Sequence, residues 1–349
     1  AWLHGVDDLR IEPYALDQPL APDAVRVRVG AVGICGSDVH YLKHMRIADF
    51  VVEAPMVIGH ESAGIVEDVG SAVTDLKAGD RVAMEPGIPC RRCLQCKTGF
   101  YNLCPDMAFF ATPPVHGSLA RFVTHPADFC FKLPDGMTLE QGAMCEPVSV
   151  GVHACKRAEV GPGQRVAILG AGPIGLVTLM VAIAHGAARV VVTDVAVERL
   201  KTAAALGASA GVDVGGLEPA AAAAKIREAL GGDADAAIDC CGFEPSVRTA
   251  LLAARPGGRV CLVGMGHNEM RVPLTAAAAR EVDIVGVFRY RNAYPLSIEL
   301  ISSGKIDVGP LITHRYDLGG GGGKFSKETV AEAFEQSARG KDAIKVRRD

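Results

Sequence analysis

The sequence predicts an α/β protein with two domains, a β-rich domain and a doubly wound parallel sheet. Its 349 residues are too many for one ordinary core and suit about two domains. Hydrophobic residues make up 49% and charged residues 22% of the chain, a composition that excludes disorder over most of its length. Hydrophobic patterning also changes along the chain, from alternating before about residue 145 to short continuous runs after it.

The first part of the chain has the pattern of a β-rich domain. Residues Val25 to Val29 alternate apolar and charged side chains, which indicates a half-buried strand. Turn signals recur, for example at Ala78-Gly79-Asp80 and Leu133-Pro134-Asp135-Gly136.

In the middle part, predicted strands and helices alternate, which indicates a parallel, doubly wound sheet. The strands are continuously hydrophobic, as expected for strands that are buried on both faces. The predicted strands are 165–169, 190–193, 236–239 and 259–263, and the predicted helices are 174–185 and 197–206.

The last part, from about Phe288, has predicted helices at 295–303 and near 328–340. Between them stand five consecutive glycines, Gly319–Gly323, which lose too much entropy to form a helix or strand cheaply. We expect a flexible surface loop there and not a phosphate-binding turn. The alanine run Ala220–Ala224 is compatible with a helix.

Charge and hydropathy exclude several classes of protein. The formal net charge of −4 argues against nucleic acid or an anionic membrane as the main partner. No apolar run reaches the length that spans a membrane. No secretory signal is visible after Ala1, although the absence of Met leaves room for an N-terminal extension. The 11 cysteines are odd in number and partly clustered, which favours metal ligands over disulfides.

A G-x-G-x-x-G motif, Gly170-Ala171-Gly172-Pro173-Ile174-Gly175, lies between a predicted strand and a predicted helix. Its glycines would permit a tight turn, let a pyrophosphate approach the backbone and allow close helix packing, with the helix N-terminus facing the phosphates. Asp194 ends the next strand and would bind both ribose hydroxyls, which predicts NAD over NADP, with Arg199 flanking the adenosine. The alternative is a Gly-rich turn that binds nothing.

Four cysteines lie within one short segment, at Cys90, Cys93, Cys96 and Cys104. Four thiolates at this spacing match a closed tetrahedral zinc site, which stabilises a loop and leaves no position open for a substrate. The alternatives are an iron–sulfur cluster, whose ligands usually have other spacings, and disulfides.

A dispersed second set matches a catalytic zinc, which needs few protein ligands and one open position. Cys35 would bind as thiolate and His60 as neutral imidazole, and Glu61 and Glu146 would be a third ligand or nearby carboxylates. Zinc stabilises the alkoxide of a bound alcohol, which can then release hydride to a nicotinamide.

Three further residues belong to this hypothesis. Ser37 and His40 are placed to pass the released proton toward solvent. Cys145 competes with Glu146 as a ligand, because successive side chains of an extended segment point in opposite directions.

The chain resembles the zinc-dependent medium-chain dehydrogenases essentially end to end, and among them the plant-type sorbitol (L-iditol 2-) dehydrogenase family. The residues that carry the resemblance are Gly33 to Tyr41, Pro55 to Glu61, Tyr101 to Cys104, Phe109 to Pro114, Cys145 to Pro147 and Val287 to Tyr290.

The resemblance implies a GroES-like catalytic domain, formed by both ends of the chain, with a Rossmann domain between them. The expected boundaries are 1–149 with a structural-zinc lobe at 88–106, 150–287 for the Rossmann domain, and 288–349 for the return. It implies a catalytic zinc held by Cys35, His60 and a Glu, with Glu146 preferred to Cys145 in the second carboxylate position.

The resemblance also assigns residues to the substrate and the cofactor. The substrate positions are Tyr41, Phe110, Thr112, Glu146, Arg289 and Tyr290. The cofactor positions, besides the glycines of the motif, are Ile174, Asp194, Arg199, Val263, Gly264, Phe288 and Arg289. A cytoplasmic homo-oligomer is implied, a tetramer or else a dimer.

The leading hypothesis is oxidation of a sugar alcohol at C2 to the ketose with NAD and zinc, for example sorbitol to fructose, with xylitol and ribitol as further substrates. The first alternative is another alcohol, such as L-arabinitol or threonine. The second is a non-catalytic NAD-binding scaffold of the same fold.

Overall fold

The computed structural model describes residues 1–16, 19–317, 326–340 and 345–348, the last four by their backbone alone. The chain divides into two compact units, Ala1–Glu146 with Ser297–Asp349, and Pro147–Leu296. The sequence placed these boundaries at 149/150 and 287/288. The predicted loop Gly319–Gly323 lies outside the described residues.

The first part of the chain is rich in strands and poor in helix, as its patterning predicts. The strands are β1 (Trp2–Gly5), β2 (Asp8–Arg10), β3 (Ala24–Ile34), β4 (Arg46–Ile47), β5 (Phe50–Val51), β6 (Met56–Val57), β7 (Glu61–Val69), β8 (Arg81–Met84), β9 (Gly87–Ile88), β10 (Ala108–Phe109), β11 (Phe122–Pro126) and β12 (Cys130–Lys132), and the helices are α1 (Gly36–His44), α2 (Leu94–Lys97) and α3 (Leu139–Ala143).

The second unit alternates strands and helices. A helix, α4 (Cys145–Arg157), leads into it, and it continues with β13 (Arg165–Leu169), α5 (Pro173–Ala184), β14 (Arg189–Asp194), α6 (Val197–Ala205), β15 (Ala210–Asp213), α7 (Pro219–Leu230), β16 (Ala234–Asp239), α8 (Glu244–Ala253), β17 (Ala254–Leu262), α9 (Leu274–Ala278) and β18 (Asp283–Gly286). Helix α10 (Tyr294–Ser302) begins in the second unit and ends in the first. The chain then returns to the first unit through β19 (Ile312–Tyr316), α11 (Lys327–Arg339) and β20 (Lys345–Arg348).

The largest sheet of the first unit has seven strands in the order β12-β8-β7-β3-β20-β19, with β11 also paired to β3. The predicted alternation in β3 is confirmed, because Val25, Val27 and Val29 are buried while Arg28 is exposed. Strand β3 pairs along its length with β7, and this pairing positions the site described below.

The sheet of the second unit is entirely parallel, as predicted, with the order β15-β14-β13-β16-β17-β18. Numbered from its first strand, this is the order 3-2-1-4-5-6 of dinucleotide-binding sheets. Residues Val166 to Leu169 of β13 are almost inaccessible to solvent, which confirms burial on both faces. The strand order reverses between β13 and β16, and ligands of such sheets bind at that point.

Across the described part of the chain, no helix combines the length and the apolarity that crossing a membrane requires.

Candidate active site

Cys35, His60 and Glu61 come together in the first unit, with one ligand atom from each lying within 4.8 Å of the others. Strand register brings this about. Gly33 of β3 pairs with Glu61 of β7, so in the antiparallel ladder the residues just after Gly33 lie beside those just before Glu61. A methyl group on Gly33 would overlap the Glu61 carboxylate, which explains why glycine stands opposite this acid.

A buried acid that the sequence analysis did not assign, Asp38, supports this group. One oxygen of its carboxylate accepts the N–H of Cys35 at 2.9 Å, and the other accepts the N–H of Gly59 at 3.0 Å. The second oxygen also lies 3.5 Å from Nδ1 of His60. A carboxylate on the far nitrogen of a metal-binding histidine fixes the orientation and tautomer of the ring.

The electrostatics of the group suit a cation. Burial by itself lowers the pKa of His60, but the interactions of the ring with Asp38 and Cys35 outweigh burial and raise the pKa well above its ordinary value. The same surroundings that favour an imidazolium would favour a divalent metal ion. A thiolate, an imidazole and a carboxylate are ligands that zinc accepts in catalytic sites, so the residues fit the metal that the sequence predicts.

The structure separates Cys145 from Glu146. Cys145 is fully buried, its thiol faces the carbonyl oxygen of Gln141 at 3.5 Å, and burial raises its pKa, so this side chain does not join the metal group. Glu146 is also buried, but it lies in the first turn of α4 and not in the extended segment that the sequence analysis considered. Its carboxylate is not among the three ligand groups that the structure brings together, and its part in metal binding stays a prediction.

Helix α1 carries three further predicted residues. Ser37 is half-buried, His40 is exposed and Tyr41 is buried. Of the other predicted substrate residues in the first unit, Phe110 is buried against the ring of His125 at a centroid distance of 4.6 Å, and Thr112 is half-buried. The substrate and proton-transfer roles of these five residues stay predictions.

The four clustered cysteines form a second group, whose thiols also lie within 4.8 Å of one another. Sulfur atoms that share one zinc at ~2.3 Å stand ~3.8 Å apart, and here Cys96 Sγ lies 4.0 Å from Cys90 Sγ and 3.4 Å from Cys93 Sγ. Backbone N–H groups point at three of the sulfurs, those of Cys90, Cys93 and Cys104.

The surroundings of these thiols shift their pKa values in opposite directions. The N–H groups of Arg92 and Cys93 lower the pKa of Cys90 to about 7, whereas burial and the neighbouring thiols raise the pKa of Cys96 to about 12. Four thiolates at this separation repel one another unless a cation lies between them. The residues therefore fit a closed zinc site.

The glycine motif of the second unit has the predicted geometry. Gly170 follows β13 with φ +100°, which disfavours any residue with a side chain, and Gly172 is the N-cap of α5. A methyl group on Gly175 would overlap the carbonyl oxygen of Gly170, while one on Gly172 would meet nothing within 4 Å. The turn thus leaves open space beside the backbone at Gly172, where a pyrophosphate is expected.

Asp194 ends β14 and is tied to the same turn. Its carboxylate accepts the N–H of Ala171 at 2.8 Å and the N–H of Ala196 at 2.8 Å. Arg199 Nη1 lies 3.8 Å from this carboxylate. The acid therefore orders the turn and still presents oxygen lone pairs beyond these two bonds.

Most of the remaining predicted cofactor residues follow the carboxyl ends of strands of the same sheet. Val263 and Gly264 follow β17, and their N–H groups donate to the carbonyl oxygen of Asp239 at 2.9 Å each. Arg289 has a left-handed backbone with φ +52°, and its guanidinium lies 4.8 Å from the ring centre of Phe288. The last predicted cofactor position, Ile174, lies in the first turn of α5. Tyr290, a predicted substrate position, is buried.

Comparisons with known proteins agree with this architecture. Residues 21–135 match the alcohol dehydrogenase GroES-like domain, and residues 173–303 match the zinc-binding dehydrogenase domain. A sorbitol dehydrogenase of Arabidopsis thaliana is 60% identical over 348 residues, which cover 99% of this chain and 93% of that protein. An L-idonate 5-dehydrogenase of Vitis vinifera is 57% identical, again over 99% of this chain and 93% of the relative.

Among solved structures, the L-idonate 5-dehydrogenase of Escherichia coli superposes with a TM-score of 0.90 at 28% identity, covering 99% of this chain and 96% of the other. These matches extend over 99% of the chain and therefore include both units. The chain belongs to the zinc-binding dehydrogenases with an alcohol dehydrogenase GroES-like domain, and it resembles the sorbitol dehydrogenases among them.

Proposed function

We propose that this chain is an NAD- and zinc-dependent dehydrogenase that oxidises a sugar alcohol, first of all sorbitol, at C2 to the ketose. The observation that carries the proposal is the group of Cys35, His60 and Glu61, a thiol, an imidazole and a carboxylate gathered around one point in the first unit. The identity to a sorbitol dehydrogenase over nearly the whole chain supports the substrate class.

The chain's own residues have distinct parts in this reaction. Cys35, His60 and a carboxylate, Glu61 or Glu146, would hold zinc, while Asp38 orients the His60 ring and anchors the backbone on both sides. When bound, zinc would supply stabilisation of the alkoxide and NAD would supply the hydride acceptor. Ser37 and the exposed His40 would pass the hydroxyl proton toward solvent.

We further propose that the preferred nicotinamide cofactor is NAD. Asp194 would accept the ribose hydroxyls and repel a 2′-phosphate, although Arg199 close to it is the residue type that accommodates such a phosphate. Asp194→Ala should narrow the ratio of kcat/KM with NAD to that with NADP, and Arg199→Ala should widen it. The ratio is the quantity to compare, because Asp194→Ala also removes two backbone hydrogen bonds from the turn. An unchanged ratio in Asp194→Ala would contradict the ribose role.

A substrate panel tests the proposed activity. We expect kcat/KM with NAD to be highest for sorbitol, with xylitol and ribitol following, and lower for L-arabinitol and threonine. Oxidation of a sugar acid is the second candidate, because the grape relative at 57% identity is named for L-idonate. A higher kcat/KM for L-idonate than for every polyol would replace the first proposal by the second. Full activity of the Cys35→Ala variant would contradict both proposals.

The four-cysteine group would hold a structural zinc, so the native protein should contain two zinc ions per chain. Cys104→Ser should leave one, with the polyol activity of the folded fraction retained. Finding iron in the native protein would contradict this assignment, and so would finding a single zinc ion per chain in native protein whose metal content is saturated. The expected homo-oligomer and cytoplasmic location rest on the family resemblance and are tested by light scattering and by cell fractionation.

A further inference from the structure

Two histidines on the last turns of α1 lie outside both metal groups described above. His40 and His44 are four residues apart on the helix, a spacing that places side chains over one another. Both are exposed, and their ring centroids lie 4.6 Å apart with the ring planes tilted by 54°.

This separation suits two rings that share one metal ion. An imidazole bound at ~2.1 Å has its ring centre ~3.2 Å from the metal, so two rings at roughly a right angle around it have centroids ~4.5 Å apart. The observed centroid separation of 4.6 Å matches this value. Exposure leaves the remaining coordination positions to water.

The helix holds the pair in place and nearby cations are engaged elsewhere. Asp38, Tyr41 and Leu42 are the buried residues of α1. At the end of the helix, the N–H of Met45 donates to the carbonyl oxygen of Tyr41 at 2.8 Å. Lys43, between the histidines in sequence, is paired with Asp7 at 2.6 Å. Arg46 donates to the carbonyl of Ala48 at 2.9 Å. Partial burial and the neighbouring His44 lower the pKa of His40, so its ring is available as a neutral ligand near neutral pH.

We propose that His40 and His44 form a two-histidine clamp for imidazole-preferring divalent ions, of the class of Zn²⁺, Ni²⁺ and Cu²⁺. An ion held there occupies the imidazole of His40 and prevents it from accepting a proton. Metal in excess of the two resident zinc ions therefore inhibits the enzyme. The inhibitory consequence rests on the proposed function, in which His40 carries the proton, whereas the binding itself does not.

The experiment uses the zinc-loaded enzyme, freed of excess metal, with Ni²⁺ as a probe that does not oxidise thiols. Binding is measured by isothermal titration for wild type, His44→Ala and a control, His267→Ala, which removes an exposed histidine of the second unit. Zinc release is followed in parallel, so that exchange at the resident sites is recognised. Activity is then measured over the same range of Ni²⁺ concentrations.

We expect His44→Ala to weaken Ni²⁺ binding at least about tenfold, because loss even of a group that only supports a ligand costs that much. Its activity without Ni²⁺ should equal that of wild type, its inhibition by Ni²⁺ should shift by the same factor, and His267→Ala should behave as wild type. Equal Ni²⁺ affinity of His44→Ala and wild type would overturn the clamp. Weakened Ni²⁺ binding with unchanged inhibition would overturn the inhibitory role of the clamp at His40, while the metal site itself would stand. Absence of polyol oxidation by the wild type would instead count against the proposed function.

Discussion

Replacing Asp38 by asparagine should weaken the catalytic metal site without removing any of its ligands. The carboxylate uses separate oxygens for the N–H of Cys35, at 2.9 Å, and the N–H of Gly59, at 3.0 Å. Asparagine has one such oxygen, and its amide group would present hydrogens to the other N–H. The variant therefore leaves one buried donor unpaired on the backbone of a ligand segment and removes the negative charge beside His60.

The magnitude follows from these losses. An unpaired buried donor costs about 1–3 kcal/mol of folding free energy. Loss of the partner on the far nitrogen of a metal-binding histidine lowers metal affinity about 10- to 100-fold, which corresponds to about 1.4–2.7 kcal/mol of zinc-binding free energy. We therefore expect Asp38→Asn to fold and to bind its weaker zinc at least about tenfold less tightly than wild type does.

Competition with a zinc chelator measures this loss of zinc affinity. The zinc at the four cysteines should remain bound at chelator concentrations that remove the zinc at Cys35 and His60. Asp80→Asn is the matched control. Asp80 is also a buried acid of the first unit, and it accepts the N–H of Lys77 at 3.1 Å and pairs with Lys132 at 2.8 Å, away from both metal groups. It should lose stability but not zinc affinity. Equal release of the weaker zinc from wild type and Asp38→Asn would refute the positioning role.

Three further predictions concern other parts of the chain. Gly175→Ala should abolish cofactor binding in fluorescence titrations with NADH, because its methyl group would overlap the carbonyl of Gly170, whereas Gly172→Ala, with open space around it, should still fold. Cys104→Ser should lower the melting temperature of zinc-loaded protein and make the unfolding of the lobe independent of added chelator. Burial lowers the pKa of His125 to about 4, so the folded protein resists a proton that the unfolded chain accepts below about pH 6.5, and stability should fall by up to about 3 kcal/mol as pH drops from 6.5 to 4. Denaturant titrations should show a smaller acid loss in His125→Gln, which keeps a donor toward the carbonyl of Glu85, and an equal loss would contradict the assignment.

Local patterns sufficed for much of the second unit. Strands β13, β14, β16 and β17 and helices α5 and α6 lie where continuous apolar runs and helical spacing predict them. Two strands were not identified, β15 and β18, since each is only four residues long and includes one glycine and one aspartate, which are depleted in strands. These two strands lie at the edges of the sheet, where one side lacks a neighbouring strand and the demand for hydrophobic residues is lower.

The types of metal ligand in the candidate site could be predicted from the sequence, but the residue that positions these ligands could not. Cys35, His60 and Glu61 stand out because a thiol, an imidazole and a carboxylate occur in a chain that also carries a dinucleotide-binding motif. Asp38 did not stand out, because an acid three residues after a cysteine is usually a helix-capping residue. Its role depends on Gly59, which only the pairing of β3 with β7 brings close. The helical position of Glu146 likewise depends on where α4 begins, a boundary that a Cys-Glu-Pro sequence does not reveal.

The two metal groups of this chain differ in what must fold before a metal can bind. The four cysteines lie between residues 90 and 104, so their thiols and the N–H groups that point at them belong to one local segment. Zinc binding there can stabilise the segment independently of the sheet. Cys35 and His60 meet only after β3 and β7 have paired in the register that sets Gly33 opposite Glu61, and a one-residue slip would turn these side chains to opposite faces. Gly33 and Asp38 are therefore required by the register as well as by the chemistry. Gly33 leaves room for the carboxylate of Glu61, and the carboxylate of Asp38 accepts the N–H groups of Cys35 and Gly59 and so holds the two ligand segments together.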